Sequence, residues 1–286
     1  MRIAVLGSAG QLGRDLVPRL RGEVLPLTRT DIDLAAPQAA AAWVVSHRPD
    51  VVVNCAAYNL VDKAEDDPDT AFAVNATGVQ ALADACGQGG ARLVHVSTDY
   101  VFGADTARSS PYLETDTPGP VNEYGRSKLQ GERFALAAPN SLIVRTCGLY
   151  GVWGSGGKGG NFVETMLRLA GQGKPLRVVA DQRCTPTYAA DLADGMARLL
   201  ERGTTGLIHL TNAGDCSWYE FAAAIFRTAG ITADLTPITS AEFGARARRP
   251  GYSVLGSGRT TETGVQLRPW QEALAAYLAE RTRRSA

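Results

Sequence analysis

Along the first half of the chain, short runs dense in valine, isoleucine and leucine alternate with stretches whose apolar residues recur every three or four positions. The runs at 2–6, 23–27, 51–55, 92–96 and 141–145 predict strands, and the stretches at 11–20, 38–47, 69–87 and 124–137 predict helices. Strands that are apolar at consecutive positions have both faces covered, and the helices between them supply the cover. The pattern predicts an α/β fold, a Rossmann-like doubly wound parallel sheet rather than a closed barrel.

After Arg145 the regularity fades. Residues 148–160 are glycine-rich and predict a mobile loop. Helices are expected over 161–171, 189–202, 217–229 and 270–281, with strands over 176–179 and 206–210. This predicts a smaller, discontinuous C-terminal substrate lobe. The expected division is 1–147 with 178–213 for a dinucleotide-binding domain, and 148–177 with 214–286 for the lobe. Arg281, Arg283 and Arg284 at the end are expected to form a solvated, frayed tail.

Lys plus Arg and Asp plus Glu number 29 each, so no global field points to nucleic acid or to an anionic membrane. No apolar run approaches the roughly 20 residues that span a bilayer. Met1–Gly7 passes straight into a strand and a glycine turn instead of a signal peptide. Cysteines 55, 86, 147, 184 and 216 are scattered, which suggests reduced thiols and a cytoplasmic protein. His47, His95 and His209 lack metal-ligand spacing, so no metal site is read. His95, mid-strand in Leu-Val-His-Val-Ser, is expected to be a packed residue.

The first candidate chemistry is the turn Gly7-Ser8-Ala9-Gly10-Gln11-Leu12-Gly13 between a strand and a helix. Gly7 permits the tight turn, Gly10 lets a pyrophosphate approach, and Gly13 lets the helix pack on the strand. The helix start then meets the negative charge, so the turn points to a dinucleotide. At the end of the second strand Arg29 suits a 2′-phosphate. Asp33, 20 residues past Gly13, suits a 2′-hydroxyl. NADPH or NADH is therefore expected, with NADP slightly favoured. Small residues in Asn54-Cys55-Ala56-Ala57-Tyr58 would let the dinucleotide lie on the backbone, or simply pack the sheet.

Tyr124 and Lys128 stand one helical turn apart, a spacing that chance also supplies. A nearby ammonium would lower the phenol's pKa and make the tyrosine a usable proton donor for carbonyl–alcohol chemistry. Thr98, Asp99 and Tyr100 follow a buried strand at the sheet edge where such folds bind ligands. Thr98 would hold a substrate oxygen that Tyr124 protonates.

With these parts in view, the sequence resembles the extended short-chain dehydrogenase/reductase family, and within it the dTDP-4-dehydrorhamnose reductases. The matching segments are residues 7–13, 54–65, 96–102, 124–132, 161–170, 185–193, 217–222 and 248–250. The resemblance implies NAD(P)H-dependent reduction of the C4 ketone of dTDP-4-dehydro-β-L-rhamnose. Thr98, Tyr124 and Lys128 take the catalytic places. Asp33 and Leu34 fall at the adenosine half, and Ala57, Tyr58 and Asn59 line the cofactor. Thr98, Asp99, Tyr100, Asn161 and Arg249 are the implied substrate contacts, with Arg246 and Arg248 beside Arg249 in a basic loop that suits a diphosphate. Some members bind Mg2+ at a dimer contact; Asp15 matches one such position and Asp191 lies near another, two carboxylates that make no convincing site. The implied partners are thus a dTDP-4-keto-6-deoxyhexose and a second copy of the chain. Tyr100 replaces the glutamate that related 4,6-dehydratases carry, so elimination chemistry is disfavoured. Arg145-Thr146-Cys147-Gly148-Leu149-Tyr150 puts Gly148 where the family usually has a substrate-contacting tryptophan, which leaves the hexose open. The rivals are a 4-ketoreductase for another dTDP-deoxysugar, and a non-catalytic NADP-binding subunit like the regulatory subunit of methionine adenosyltransferase.

Overall fold

The computed structural model describes residues 1–154, 160–256 and 258–285. Six strands form the main sheet: β1 (Arg2–Leu6), β2 (Glu23–Leu27), β3 (Val51–Asn54), β4 (Arg92–Thr98), β5 (Leu142–Thr146) and β6 (Gly206–His209). Every pairing is parallel, in the order β6-β5-β4-β3-β1-β2. The order reverses at β1, which has β2 on one side and β3 on the other. That switch point opens a crevice beyond the carboxyl ends of β1 and β3. The doubly wound α/β fold read from the sequence is the one observed.

Two apolar layers cover the sheet. On one face Ile3, Val5 and Val53 pack with Leu12 and Leu16 of α1 (Gln11–Leu16). On the other, Ala4, Leu6 and Val52 meet α2 (Pro37–His47) and α3 (Gly78–Gly89) through Val44, Val79 and Leu82. The helix α4 (Glu123–Ala137) adds Ala135 to that second layer. Each such Val or Leu contributes roughly 1.5–3 kcal/mol by leaving water. A separate cluster joins Val163 of α5 (Phe162–Ala170), Tyr188 beside α6 (Ala189–Glu201), Phe221 of α7 (Trp218–Ala229) and Tyr277 of α8 (Trp270–Ser285). A parallel pair of short strands, Leu176–Val179 and Leu235–Ile238, borders it.

Three elements differ from their sequence patterns. The helix expected over 11–20 gives way at Val17–Arg19 to a 3₁₀ turn, where Pro18 offers no N–H for a further α-helical bond. The helix expected over 69–87 is interrupted by a π turn at Ala73–Thr77. The terminal arginines are no frayed tail: α8 runs to Ser285, Arg281 pairs with Glu164 at 2.7 Å, and Arg284 pairs with Glu280 at 2.8 Å. The predicted glycine loop lies outside the described residues at 155–159.

One buried polar network ties the sheet to its surroundings. Arg145 on β5 forks onto Glu132 of α4 with bonds of 2.8 and 2.7 Å, both residues almost wholly buried. Arg145 also donates to His209 Nε2 at 3.3 Å, and His209 Nδ1–H faces the carbonyls of Tyr112 and Gly256 at 3.1 and 3.2 Å. Burial, with the Arg145 charge, holds the His209 pKa down to about 3. The unfolded imidazole protonates near 6.5. With the folded value below the unfolded one, the stabilisation is full above pH 6.5 and is lost as pH falls toward 3, because the unfolded chain binds the additional proton. At pH 5 the loss from His209 is about 2 kcal/mol. His95, also pushed down by burial, acts in the same direction, while Asp99, raised by burial, opposes it. Urea unfolding at pH 7.5 and 5 is expected to reveal this loss and His209→Gln to reduce it; an equal acid loss in the variant refutes the assignment.

Candidate active site

The chain leaves β1 through Gly7, at a φ of +73° that residues with side chains rarely adopt. A Cβ on Gly7 would stand 2.8 Å from the Ala56 amide, and one on Gly13 would overlap the Gly7 carbonyl. Gly10 N donates to that same carbonyl at 2.9 Å. Bare backbone from the turn, the start of α1 and residues 55–56 therefore meets in one cradle. The first turn of α1 carries no acidic residue, so its amides are not opposed by a negative side chain. Gln11 and Leu12, the first residues of the helix, are buried. The cradle fits a dinucleotide pyrophosphate.

Arg29 and Asp33, which point to different cofactors in the sequence, bind each other in the structure: Arg29 Nε meets Asp33 Oδ2 at 3.1 Å. Asp33 Oδ1 also accepts from Ala35 N at 2.9 Å, the main cause of its lowered pKa. Leu34 is buried against Gly78, where a Cβ would strike the Leu34 carbonyl. Ala56, Ala57 and Tyr58 follow β3 along the crevice. Tyr58 is held by a residue the sequence did not single out. Asn75, in the π turn, accepts from Tyr58 N and donates to Tyr58 O, both at 2.9 Å, and reaches Ser127 Oγ at 3.0 Å. An asparagine amid a helical pattern is a poor interior residue, and that was the available signal.

Tyr124 opens α4 under tight local control. Asn122 caps the helix by accepting from Gly125 N at 2.7 Å and donates to the Arg248 carbonyl at 2.8 Å. Gly125 lacks a Cβ that would overlap the Tyr100 carbonyl, so the helix start presses onto the 3₁₀ turn Asp99–Val101. This brings the Tyr124 hydroxyl toward the Thr98 hydroxyl. Burial pushes the Tyr124 phenol up, the Asp99 charge adds to the rise, and the nearby Thr98 hydroxyl opposes it. The lowering expected from the neighbouring lysine is not what the structure displays: Lys128 Nζ, 2 % exposed with its residue, turns to the Val96 carbonyl at 2.7 Å. Burial lowers the Lys128 pKa to about 8. The phenol is held protonated, the form that can give a proton.

The substrate candidates separate. Tyr100 packs edge-on to Tyr124 with ring centroids 5.7 Å apart, and the Arg249 charge acts on its phenol. Asp99 is buried behind them: it accepts from Ser253 at 2.6 Å and from Thr98 at 3.1 Å, so it braces Thr98 and lines no open surface. Arg249 forks onto Asp62 at 2.7 and 3.1 Å, and Arg246 pairs with Asp66 at 2.8 Å, charges the sequence reading left for a diphosphate. Asn161 caps α5 and donates to the Gly151 carbonyl at 2.8 Å, beside Gln11. Gly148 has φ +55°, and a Cβ there would lie 3.2 Å from Pro186 Cα. Trp153 Nε1 donates to Asp15 at 3.1 Å, and the Arg14 and Arg284 guanidiniums lie over its ring. Asp191 pairs with Arg268 and Asn212, and among the described residues no three acidic, histidine or cysteine side chains gather as a metal site. Nor is any described helix long and apolar enough to cross a membrane.

Comparison with known proteins gives the family. The chain is 44% identical over 287 residues to the dTDP-4-dehydrorhamnose reductase of Mycobacterium tuberculosis strain H37Rv, covering 97% of this chain and 92% of that one. It is 42% identical over 289 residues to the probable dTDP-4,6-dihydroxy-2-methyloxan-3-one 4-ketoreductase of Streptomyces antibioticus, covering 96% and 93%. A solved dTDP-4-dehydrorhamnose reductase from Bacillus anthracis, in complex with NADP, superposes with a TM-score of 0.91 at 38% identity, covering 98% and 99%. Residues 1–283 match the family described as RmlD substrate binding domain, and the chain belongs to that family.

Proposed function

We propose that the chain is an NAD(P)H-dependent reductase of the C4 ketone of a dTDP-4-keto-6-deoxyhexose, with dTDP-4-dehydro-β-L-rhamnose as substrate. The observation that carries the reading is Tyr124 brought toward Thr98 at the carboxyl edge of a parallel sheet, with Lys128 one turn on. Family membership and the glycine cradle support it.

Gly7, Gly10, Gln11, Leu12 and Gly13 would hold the pyrophosphate of the dinucleotide. Arg29, Asp33 and Leu34 would hold its adenosine end, Ala56, Ala57 and Tyr58 its flank, and Tyr124 and Lys128 the nicotinamide ribose. When bound, the reduced nicotinamide supplies hydride. Thr98 holds the ketone oxygen, and Tyr124 gives that oxygen its proton. Asp99 keeps Thr98 in place. Arg249 meets a sugar-nucleotide phosphate by exchanging it for Asp62, as guanidinium forks fit either anion. The sugar nucleotide falls to the lobe of residues 148–177 and 214–286. A 2′-phosphate would draw Arg29 from Asp33, which favours NADPH.

A second reading, a 4-ketoreductase for another dTDP-deoxyhexose, rests on Gly148, which brings no side chain to the place where the family usually has a tryptophan. NADPH and NADH oxidation with freshly prepared dTDP-4-dehydro-β-L-rhamnose decides between them. Turnover of that sugar supports the first reading, turnover of other dTDP-4-keto sugars alone supports the second, and none with any keto sugar overturns both.

A further inference from the structure

His95 is wholly buried on β4 and takes no part in the chemistry proposed above. Its hydrogen bonds assign its proton. Ala56 N donates to Asn54 Oδ1 at 3.0 Å, which leaves the Asn54 Nδ2 amide facing His95 Nδ1 at 3.2 Å. An amide N–H donates, so Nδ1 accepts. Burial by itself pushes the His95 pKa down, so the ring is neutral whatever the charge on Lys128. A neutral imidazole that accepts at Nδ1 carries its hydrogen on Nε2. That N–H faces Lys128 Nζ at 3.4 Å.

An ammonium has three donors and no acceptor, so it would meet the imidazole N–H donor to donor. A neutral amine has a lone pair. It can accept from His95 while still donating to the Val96 carbonyl at 2.7 Å. We propose that Asn54 and His95 are positioning residues for Lys128: the amide locks the imidazole tautomer, and the imidazole N–H favours the neutral amine. The other titratable groups around Nζ are Glu132, one turn along α4, and Cys55, just after β3. Glu132 favours the ammonium, whereas burial disfavours it. Cys55 is pushed up to about 12 by burial and stays a thiol. Because Asn54 also holds the Ala56 amide, the loop proposed to flank the dinucleotide is linked to the protonation of Lys128.

The consequence for catalysis rests on the reductase reading; the test does not. The chain has four lysines, so ¹³Cε-lysine labelling gives a resolvable titration, with the Lys128 signal identified by its loss in Lys128→Arg. Lys128 is expected to titrate near pH 8 in the native chain. His95→Asn keeps an acceptor for Asn54 but sets no N–H on Lys128, and should raise the midpoint by about one unit. Asn54→Ala, which frees the tautomer, should raise it too. Midpoints unchanged in the variants overturn the proposal, since mere packing would leave the titration where it is. Should the variants not fold, the ring ¹⁵N shifts of His95 in the native chain decide: a hydrogen on Nε2 is expected, and one on Nδ1 overturns the proposal. Shifted midpoints without keto-sugar turnover would remove the reductase reading alone.

Discussion

Replacing Tyr124 with phenylalanine is expected to lower keto-sugar turnover by about a hundred- to ten-thousand-fold, the range that a positioned general acid contributes. Dinucleotide affinity should hold, because the cradle at Gly7, Gly10 and Gly13 is built from backbone that the substitution does not touch. The phenylalanine ring keeps the edge-on contact with Tyr100 and loses only the hydroxyl that meets Thr98. Burial sharpens the expectation. A phenol pushed up by burial stays protonated across the neutral range, so each enzyme molecule starts with the proton in place. Steady-state kinetics with a parallel NADPH titration separates the outcomes. Unchanged kcat sinks the proton-donor role, and a large loss of dinucleotide affinity makes the ribose contact, not proton donation, the main role of Tyr124.

The largest effect on stability should come from Arg145→Met. It leaves the Glu132 carboxylate buried opposite no cation and takes a donor from His209 Nε2. Removing one partner of a buried pair costs about 3–5 kcal/mol, a fall in melting temperature on the order of 10 °C for a chain of this size. The double variant Arg145→Met with Glu132→Leu should recover much of that loss, since an apolar pair of similar volume escapes the desolvation of both charges. Thermal denaturation of the singles and the double measures the difference. If the double is no more stable than Arg145→Met, the stranded charge is not the cause. The pair also bears on the site, because Glu132 favours the charged form of Lys128 one turn away. Glu132→Leu should therefore lower the Lys128 midpoint, opposite in direction to His95→Asn.

How far the sequence reaches differs from residue to residue. Gly7, Gly10 and Gly13 were legible because their reason is local: a turn leaving a strand and entering a helix allows few residue types. The consecutive apolar positions of β1, β3, β4 and β5 announced a sheet buried on both sides, and the structure agrees. Tyr124 and Lys128 share a helix face by periodicity alone. Spacing could not say what each would touch. The lysine nitrogen expected beside the phenol turns instead to the Val96 carbonyl and His95.

What escaped the sequence joins residues far apart along it. Asp62 holds Arg249 from 187 positions away, Trp153 reaches Asp15 from 138, and Asn54 meets His95 from 41. Only the folded chain supplies those neighbours, and with them the burial that raises Tyr124, lowers Lys128 and selects the His95 tautomer. Local sterics and apolar periodicity are written in consecutive residues, so the elements and the dinucleotide turn follow from the chain itself. Protonation and pairing depend on which surfaces meet and how much water they exclude, and that is decided by the packing of the sheet against its helices.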